Sequence, residues 1–150
     1  MMKARLQLKD YWLEDLQWRP IEPPAEPQEA DDSILPKLGL SVVQKEDSSE
    51  YLCELQVLLT KGQALKAGAP YQFRLQLLGQ FEFLEGTSTE TQHRMIHVNG
   101  SSILYGLARG VLAEATSQAR AGKYILPAIN LIELLEKRGS LEGTVQPAIP

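Results

Sequence analysis

The segment of residues 71–83 constrains the fold most, because its side chains alternate more regularly than those of any other segment. One side is apolar and is formed by Tyr71, Phe73, Leu75, Leu77, Phe81 and Phe83. The other side carries mainly Gln72, Arg74, Gln76, Gln80 and Glu82. A two-residue period of this kind predicts a β-strand with one buried face. Gly79 within it indicates a bulge or a close approach of another stretch of backbone.

Three further strands are predicted before this one. Residues 4–8 alternate, and the pattern continues irregularly to Trp18, which suggests a bulge or bend. Residues 38–42 and 51–59 alternate as well, whereas residues 61–70 read as a loop. Residues 20–36 contain five prolines and five acidic residues without a basic one, which is typical of a long extended crossing loop. Four successive strands imply an antiparallel sheet.

The apolar period changes to a helical one after the fourth strand. Ile103, Leu104, Leu107, Val111, Leu112 and Ala115 recur at helical spacing, and Gly122 is a candidate terminator. A short last helix follows Asn130 and ends at Gly139. The predicted fold class is therefore α+β, with a four-stranded antiparallel sheet followed by a long and a short helix packed on it. We expect one domain over residues 1–139 and a short flexible tail over residues 140–150.

Composition narrows the class of protein. The net charge of -4 argues against nucleic acid as a partner. The single cysteine, Cys53, excludes an internal disulfide and favours a reducing compartment. The first residues lack the apolar core of a signal peptide, and no apolar run is long enough to cross a bilayer. We therefore expect a cytoplasmic protein without membrane insertion.

Motifs that carry catalysis are absent from the sequence. It has no Gly-rich phosphate loop, no nucleophile elbow and no paired cysteines, so we predict no catalytic residue and no cofactor. Cys53 lies on the apolar side of a predicted strand and is expected to be a buried, inert thiol.

His93 and His97 are four residues apart, with Glu90 before them. On a helix this spacing suits a metal, and a metal-binding protein is one alternative function. The other interpretation is two polar residues on a solvated turn. It is favoured because two ligands do not define a metal site, and we predict none.

The acidic crossing loop and the two tryptophans each allow two interpretations. The acidic run from Glu22 to Asp32 either attracts a basic partner or is a solvated loop, and the latter is commoner. Trp12 and Trp18 either line a binding groove or close the core.

Two stretches resemble the SecB family of protein-export chaperones. YQFRLQLLGQFEF, residues 71–83, is similar to the last strand of that family, with Gly79 and Phe81 matching its Gly-x-Phe. SILYGLAR, residues 102–109, is similar to the start of its long helix, although Gly106 replaces a proline and Gly110 stands where an acidic residue is usual. Further matches are Gly122, Tyr124, Pro127, Ile129, Asn130 and Leu131.

The resemblance implies a non-enzymatic molecular chaperone, a holdase that binds unfolded polypeptides in apolar grooves. It implies unfolded preproteins as clients, with delivery to SecA for export and translocation. It also implies a homo-oligomer, a homotetramer built as a dimer of dimers. The alternative within the same family is a chaperone dedicated to another client, such as an antitoxin.

The resemblance also implies where clients and subunits bind. The expected peptide-binding channel lies between the crossing loop and the last helix, and is formed by Trp12, Trp18, Ile21, Leu35, Ile125, Leu126, Ile129 and Leu134. The expected oligomer interface is the side of the long helix that carries small residues, which lets a second copy approach closely. It comprises Ile103, Leu104, Leu107, Gly110, Val111 and Ala115.

Overall fold

The computed structural model describes residues 2–26, 28–137 and 146–147. It confirms the predicted α+β class, with four antiparallel strands and helices that cover one side of the sheet. The strands are β1 (Leu6–Pro20), β2 (Lys37–Gln44), β3 (Glu50–Leu59), β4 (Tyr71–Phe83) and the two-residue β5 (Gln146–Pro147). The helices are α1 (Lys61–Ala67), α2 (Thr89–Met95), α3 (Ser101–Thr116) and α4 (Leu131–Lys137), with a π-helical turn at Ile96–Gly100.

The order of strands across the sheet is β1-β4-β3-β2-β5. The β2, β3 and β4 strands form a meander, because each pairs antiparallel with the next along the chain. The β1 strand crosses over to pair with β4, so that Leu6 faces Phe83 and Pro20 faces Tyr71. The crossing loop, residues 21–36, therefore runs from one edge of the sheet to β2 at the other side, which is the course predicted for it.

Two register shifts interrupt β1. They lie between Leu8 and Asp10 and between Leu13 and Asp15, so Lys9 and Glu14 are extra residues on this strand. Each bulge adds one residue to the count along β1, and the alternation of side chains restarts after it. The irregular pattern that the sequence shows over this segment follows from these two bulges.

The core lies between the sheet and the helices. The apolar side of β4 is buried completely or nearly so, as predicted, and the same holds for the facing residues of β3. The helix α3 contributes Leu104, Ala108 and Leu112, each without exposed surface. Tyr51, Tyr71 and Phe81 are the largest of the fully buried side chains. Burial of each large side chain contributes about 1.5–3 kcal/mol to the free energy of folding.

Helical content differs from the prediction at two places. The expected loop at residues 61–70 contains α1, which begins with a capping box: Thr60 Oγ1 accepts from Gln63 N at 3.3 Å, and Gln63 Oε1 accepts from Thr60 N at 3.1 Å. It ends at Gly68, whose φ of 70° is left-handed. The long helix ends at Thr116 rather than at Gly122, and helical structure begins earlier, at Thr89.

The helix α3 packs tightly against the sheet at Gly79. A Cβ atom built there would lie 2.7 Å from Leu104 Cδ2 and 2.8 Å from Phe81 Cε2. Both neighbouring side chains are fully buried, so neither has room to move aside. The sequence predicts a bulge or a close backbone approach at Gly79, whereas the groups that approach it are the side chains of Leu104 and Phe81.

We expect Gly79→Ala to lower the free energy of unfolding by about 1–3 kcal/mol, because the added methyl overpacks a filled core. Gly106→Ala is the matched control, since no atom lies within 4 Å of a Cβ at this exposed helical position. It should stabilise the protein by roughly 0.5–1 kcal/mol through helix propensity. Urea unfolding of the two variants measures both values. Unchanged stability of Gly79→Ala would contradict the close packing of α3 on β4.

Candidate functional site

The crossing loop is attached to the body of the protein at both of its halves. After β1, Ile21 N donates to Pro70 O at 2.8 Å; farther on, Asp31 N donates to Lys66 O at 2.9 Å. Beside the second contact, a Cβ at Gly68 would lie 2.8 Å from Ala30 Cβ. The helix α1 and the residues that follow it are therefore the platform on which the loop rests.

The Asp31 carboxylate organises the middle of the loop. It accepts hydrogen bonds from Ser33 N at 2.9 Å and from Ser33 Oγ at 2.6 Å. These side-chain and backbone hydrogen bonds hold the pKa of Asp31 below its ordinary value. The acidic loop therefore has a local turn of its own, fully open to solvent, beside Lys66 of α1.

A concave surface of about 780 Å³ opens between the crossing loop, α1 and the turn after α3. We call it the crossing-loop pocket. Glu22 and Arg120 bring charge to its lining, and the other lining residues are apolar, glycine or proline. They are Pro20, Ile21, Pro23, Pro24, Ala64, Leu65, Gly68, Ala69, Pro70 and Ala121. A volume of this size and character suits apolar side chains of a ligand.

A second space, of about 400 Å³, adjoins the same loop residues. It shares the segment from Pro20 to Pro24 and Leu65 with the crossing-loop pocket, and adds Lys61 and Gln72. Proline fixes the backbone of this wall, so less conformational entropy is lost when a ligand binds there than at a flexible loop. The two spaces together make an extended surface along the first half of the crossing loop.

An aromatic cluster supports the end of β1 that carries the pocket. Trp18 lies edge-on to Tyr71, with ring centroids 5.4 Å apart. Tyr124 lies beside Tyr71 at 6.2 Å and beside Phe73 at 5.7 Å. The Tyr71 hydroxyl donates to Gly122 O at 2.7 Å. Side chains of the sheet thus hold the segment after α3 next to the pocket.

Side chains of α3 fix the rest of that segment. The Tyr105 hydroxyl donates to Pro127 O at 2.6 Å, and Arg109 Nε donates to Leu126 O at 3.0 Å. Leu126 is buried in the core, whereas Ile125 beside it is 56% exposed. Within this segment, Leu126 therefore faces the core and its neighbour Ile125 faces solvent.

The structure separates the eight residues predicted for the peptide-binding channel. Trp18 pairs with Phe73 on the helix-covered side of the sheet, but Trp12 pairs with Leu78 on the opposite side, since the bulge at Glu14 lies between them. Leu126 is part of the core, and Leu35 is exposed on the far half of the loop. Trp18, Ile21, Ile129 and Leu134 are half-buried against the core. Of the eight, Ile21 lines the crossing-loop pocket.

Sequence reasoning missed most of the pocket wall. The sequence pattern predicts a loop at Ala64 and Leu65, although Thr60 and Gln63 carry the signal of a capping box and Gly68 that of a helix terminator. Arg120 and Ala121 reach the pocket only because α3 ends at Thr116 and turns back. No local pattern marks these two positions.

The residues predicted for an oligomer interface divide between the core and the surface of α3. Leu104 has no exposed surface, so its side chain is unavailable to a partner. Ile103, Leu107, Val111 and Ala115 are half-buried, and Gly110 is exposed with open space around its Cα. Of the predicted interface, the part that stays accessible on α3 is therefore Gly110 with the half-buried apolar residues beside it.

The two histidines use ring nitrogens for hydrogen bonds within the protein. His97 Nδ1 lies 2.8 Å from His93 O, and His93 Nε2 lies 3.2 Å from Gln44 Oε1. His97 is buried, not solvated as the alternative interpretation assumed. Within the described ranges, no group of three His, Cys, Asp or Glu side chains is placed to hold a metal ion.

The groups with raised pKa values belong to the core. Burial raises the pKa of Cys53 to about 12, and burial together with the nearby Cys53 raises that of Tyr51 to about 12. Burial likewise raises the pKa of Tyr105 to about 12, partly opposed by Arg109. A thiol with so high a pKa is a poor nucleophile. The structure therefore supports the prediction of a buried, inert Cys53.

We expect stability to fall at alkaline pH. The Cys53 thiol ionises at about pH 8.5 in the unfolded chain but at about 12 in the fold, so unfolding releases a proton in this window and stability declines as pH rises through it. Ionisation of Cys53 in the unfolded chain should lower the free energy of unfolding by about 2 kcal/mol when the pH rises from roughly 7.5 to 10. Urea unfolding at both pH values, with Cys53→Ala as the control, measures this share. An equal loss in that variant would assign the effect to other groups.

No helix in the described part of the chain is long and apolar enough to cross a membrane.

Comparison with known proteins identifies the type of fold. No protein-family model and no curated protein sequence matches the chain. Among solved structures, it is similar to the SecB-like chaperone Rv1957 of Mycobacterium tuberculosis, which was solved in complex with a ChAD peptide from the Rv1956 HigA1 antitoxin. The TM-score is 0.54 at 14% sequence identity, over 83% of this chain and 88% of that one. The fold is therefore SecB-like.

A second similar structure is a protein of unknown function from Streptococcus agalactiae. Its TM-score is 0.53 at 8% identity, over 83% of this chain and 97% of that one. Since both structures are so distant in sequence, they establish the arrangement of strands and helices and leave the activity to be argued from the site.

Proposed function

We propose that this protein is a non-enzymatic, cytoplasmic chaperone that holds unfolded polypeptide segments at its surface. The observation that carries the proposal is the crossing-loop pocket on a SecB-like fold. Its apolar wall offers an unfolded chain many weak contacts without a fixed pattern of polar groups. A site that must accept many sequences requires this kind of recognition.

The pocket and the segment after α3 together suit an extended client. Ile125, beyond the turn that contributes Arg120 and Ala121 to the pocket, exposes 56% of its surface. Exposed apolar residues next to a concave apolar surface are typical of a partner-binding site. We therefore retain Ile21, Trp18, Ile125 and Ile129 as client-contacting residues, and add Leu65.

Two client classes remain as proposals. The similarity of two sequence stretches to the export-chaperone family supports preproteins delivered to SecA. The neighbouring structure with an antitoxin peptide supports a dedicated client of that kind equally well. Pull-down with purified SecA separates them: retention of SecA supports the export role, and its absence supports a dedicated client.

Replacement of Ile21 tests the pocket. We expect Ile21→Ser to weaken suppression of aggregation of an unfolded model protein, with client affinity lowered by about 1–2 kcal/mol, because an apolar anchor is removed from the binding surface. Ile132→Ser is the matched control, since Ile132 is 50% exposed on α4 and does not line the pocket. Thermal melts confirm that both variants are folded. Equal loss in both variants, or in neither, would contradict the assignment of the pocket.

We further propose that the protein assembles as a homotetramer, a dimer of dimers, through α3. The expected result is a tetramer by light scattering at micromolar concentration. Gly110→Arg should lower the mass while leaving the subunit folded, because nothing lies within 4 Å of a Cβ there and a long side chain blocks close helix approach. Gly62→Arg, at an equally open position on α1, should leave the mass unchanged. A monomeric wild type would contradict the proposed assembly.

A further inference from the structure

Two arginines border a depression on the side of the sheet that faces away from the helices. Gln17 of β1 pairs with Arg74 of β4, and Arg19 pairs with Gln72. Paired residues point to the same side of a sheet, and these four alternate with residues of the helix-covered side. A space of about 280 Å³ opens between them and Leu58 of β3. None of the described residues that line this space carries a carboxylate, so its lining is basic.

Both guanidinium groups have N–H donors left for a ligand. Arg74 is held from one side, where its Nε donates to Asp15 Oδ2 at 2.9 Å, and its side chain is 57% exposed. Gln17 Nε2 donates to the other oxygen of Asp15 at 3.3 Å. Arg19 is exposed, and its guanidinium takes part in no hydrogen bond or ion pair among the described residues. Two cations beside one carboxylate leave an excess of positive charge here, although the whole chain carries a net charge of -4.

The positions of the two arginines suit a single anion. Arg19 and Arg74 are diagonal neighbours across the β1–β4 pair, because Gln17, two residues before Arg19, lies opposite Arg74. Diagonal neighbours are about 7–8 Å apart, within reach of long side chains. The planar guanidinium group matches the planar carboxylate with parallel N–H···O hydrogen bonds. Since the acidic chain as a whole disfavours a nucleic acid, the anion that fits is a carboxylate.

The depression is continuous with the surface along the crossing loop. Gln72 lines both the depression and the space of about 400 Å³. That space in turn shares its loop residues and Leu65 with the crossing-loop pocket. Ile21, in the wall of the crossing-loop pocket, follows Arg19 by two residues, and two residues of extended chain span roughly 7 Å. An extended segment with an apolar side chain in the crossing-loop pocket therefore reaches the arginines two to three residues away.

We propose that Arg19 and Arg74 form an arginine subsite, which binds the carboxylate of a client residue two to three positions from an apolar residue in the crossing-loop pocket. The inference rests on the proposed chaperone function and adds a charge preference to it. Glu22 lines the crossing-loop pocket and disfavours an acidic residue there, so the carboxylate is directed to the arginines. Segments that combine an apolar and an acidic residue at this spacing are then selected from among unfolded chains.

Two pairs of synthetic peptides with uncharged ends test the subsite in the full chain. Ac-SLILSESG-NH2 carries Glu after an apolar anchor, and Ac-SLILSQSG-NH2 is its neutral match. Ac-GSESLILS-NH2 and Ac-GSQSLILS-NH2 present the same groups in the reverse order. In at least one pair, the Glu peptide should bind about three- to tenfold more tightly than its Gln match, and added salt should reduce the difference. Calorimetry measures the affinities. Equal affinities within both pairs, or no binding of any peptide at millimolar concentration, would overturn the proposal.

Replacement of the arginines shows which side chains carry the preference. Arg19→Gln and Arg74→Gln should each reduce the preference for Glu to less than about twofold and leave the affinity for the Gln peptides unchanged. Arg94→Gln is the matched control, because it removes the same charge from an exposed position on α2, outside the depression. Thermal melts confirm that the variants are folded. Arg19→Glu should reverse the preference, so that Ac-SLILSKSG-NH2 or its reverse-order match binds more tightly than the Glu peptide. A preference for Glu that persists in both Gln variants means that the proposal is wrong.

A peptide with a free carboxyl end identifies the source of the carboxylate. Ac-SLILSQ-OH has no acidic side chain, and its only negative charge is the terminal carboxylate. Weaker binding than that of the Glu peptides supports an acidic side chain as the ligand, as proposed. If only the free-acid peptide shows a preference that depends on Arg19, the subsite recognises chain ends, and the assignment to acidic side chains is overturned.

The outcome separates the two proposals. Suppression of aggregation by wild type, together with equal binding of the Glu and Gln peptides, would refute the arginine subsite and leave the chaperone function standing. Failure of wild type to suppress aggregation would refute the chaperone function, while a preference for the Glu peptide that is lost in Arg19→Gln would still support the subsite as a binding site for acidic segments.

Discussion

At Gly79 the side chain of Leu104 occupies the space that a Cβ would need, and this contact sets the distance between α3 and the sheet. From the same helix, Tyr105 and Arg109 donate hydrogen bonds to the carbonyls of Pro127 and Leu126. The segment after α3 is therefore held by side chains of the helix and by Tyr71 of the sheet. Its position in turn brings Arg120 and Ala121 to the crossing-loop pocket. The contact of α3 with β4 at Gly79 and the pocket wall are thus linked through the hydrogen bonds that α3 makes with the segment after it.

The crossing loop depends on a different support. Its prolines cannot all take part in a sheet ladder, so the loop needs partners outside regular structure. The residues after α1 supply an acceptor at Pro70 O, and α1 supplies one at Lys66 O. The insertion of a short capped helix between β3 and β4 thereby makes a surface that a tight hairpin would not provide. The carboxylate of Asp31 in this acidic loop is exposed to solvent.

Much of the fold could be predicted from the regular spacing of apolar residues along the sequence. The alternation from Tyr71 to Phe83 identified the strand that pairs with both β1 and β3, and Ile103 to Ala115 identified the long helix. The side of the sheet on which Trp12 lies could not be predicted. A bulge adds one residue without a sequence signal that fixes its position, and Glu14 does so between the two tryptophans. The pocket was missed for a related reason, since its walls come from segments that meet only in the tertiary structure.

The pairing of β1 with β4 has a consequence for the order of assembly. Pro20 pairs with Tyr71 and Leu6 with Phe83, so β2, β3 and α1 all lie between the partners in the sequence. The meander from β2 to β4 closes short loops, whereas β1 must close a long one, at a greater cost in chain entropy. We therefore expect β1 to dock late in folding, and the pocket wall formed by Pro20 and Ile21 to be completed with it. A copy of this chain in which β1 has not yet paired with β4 therefore lacks the pocket wall that Pro20 and Ile21 provide.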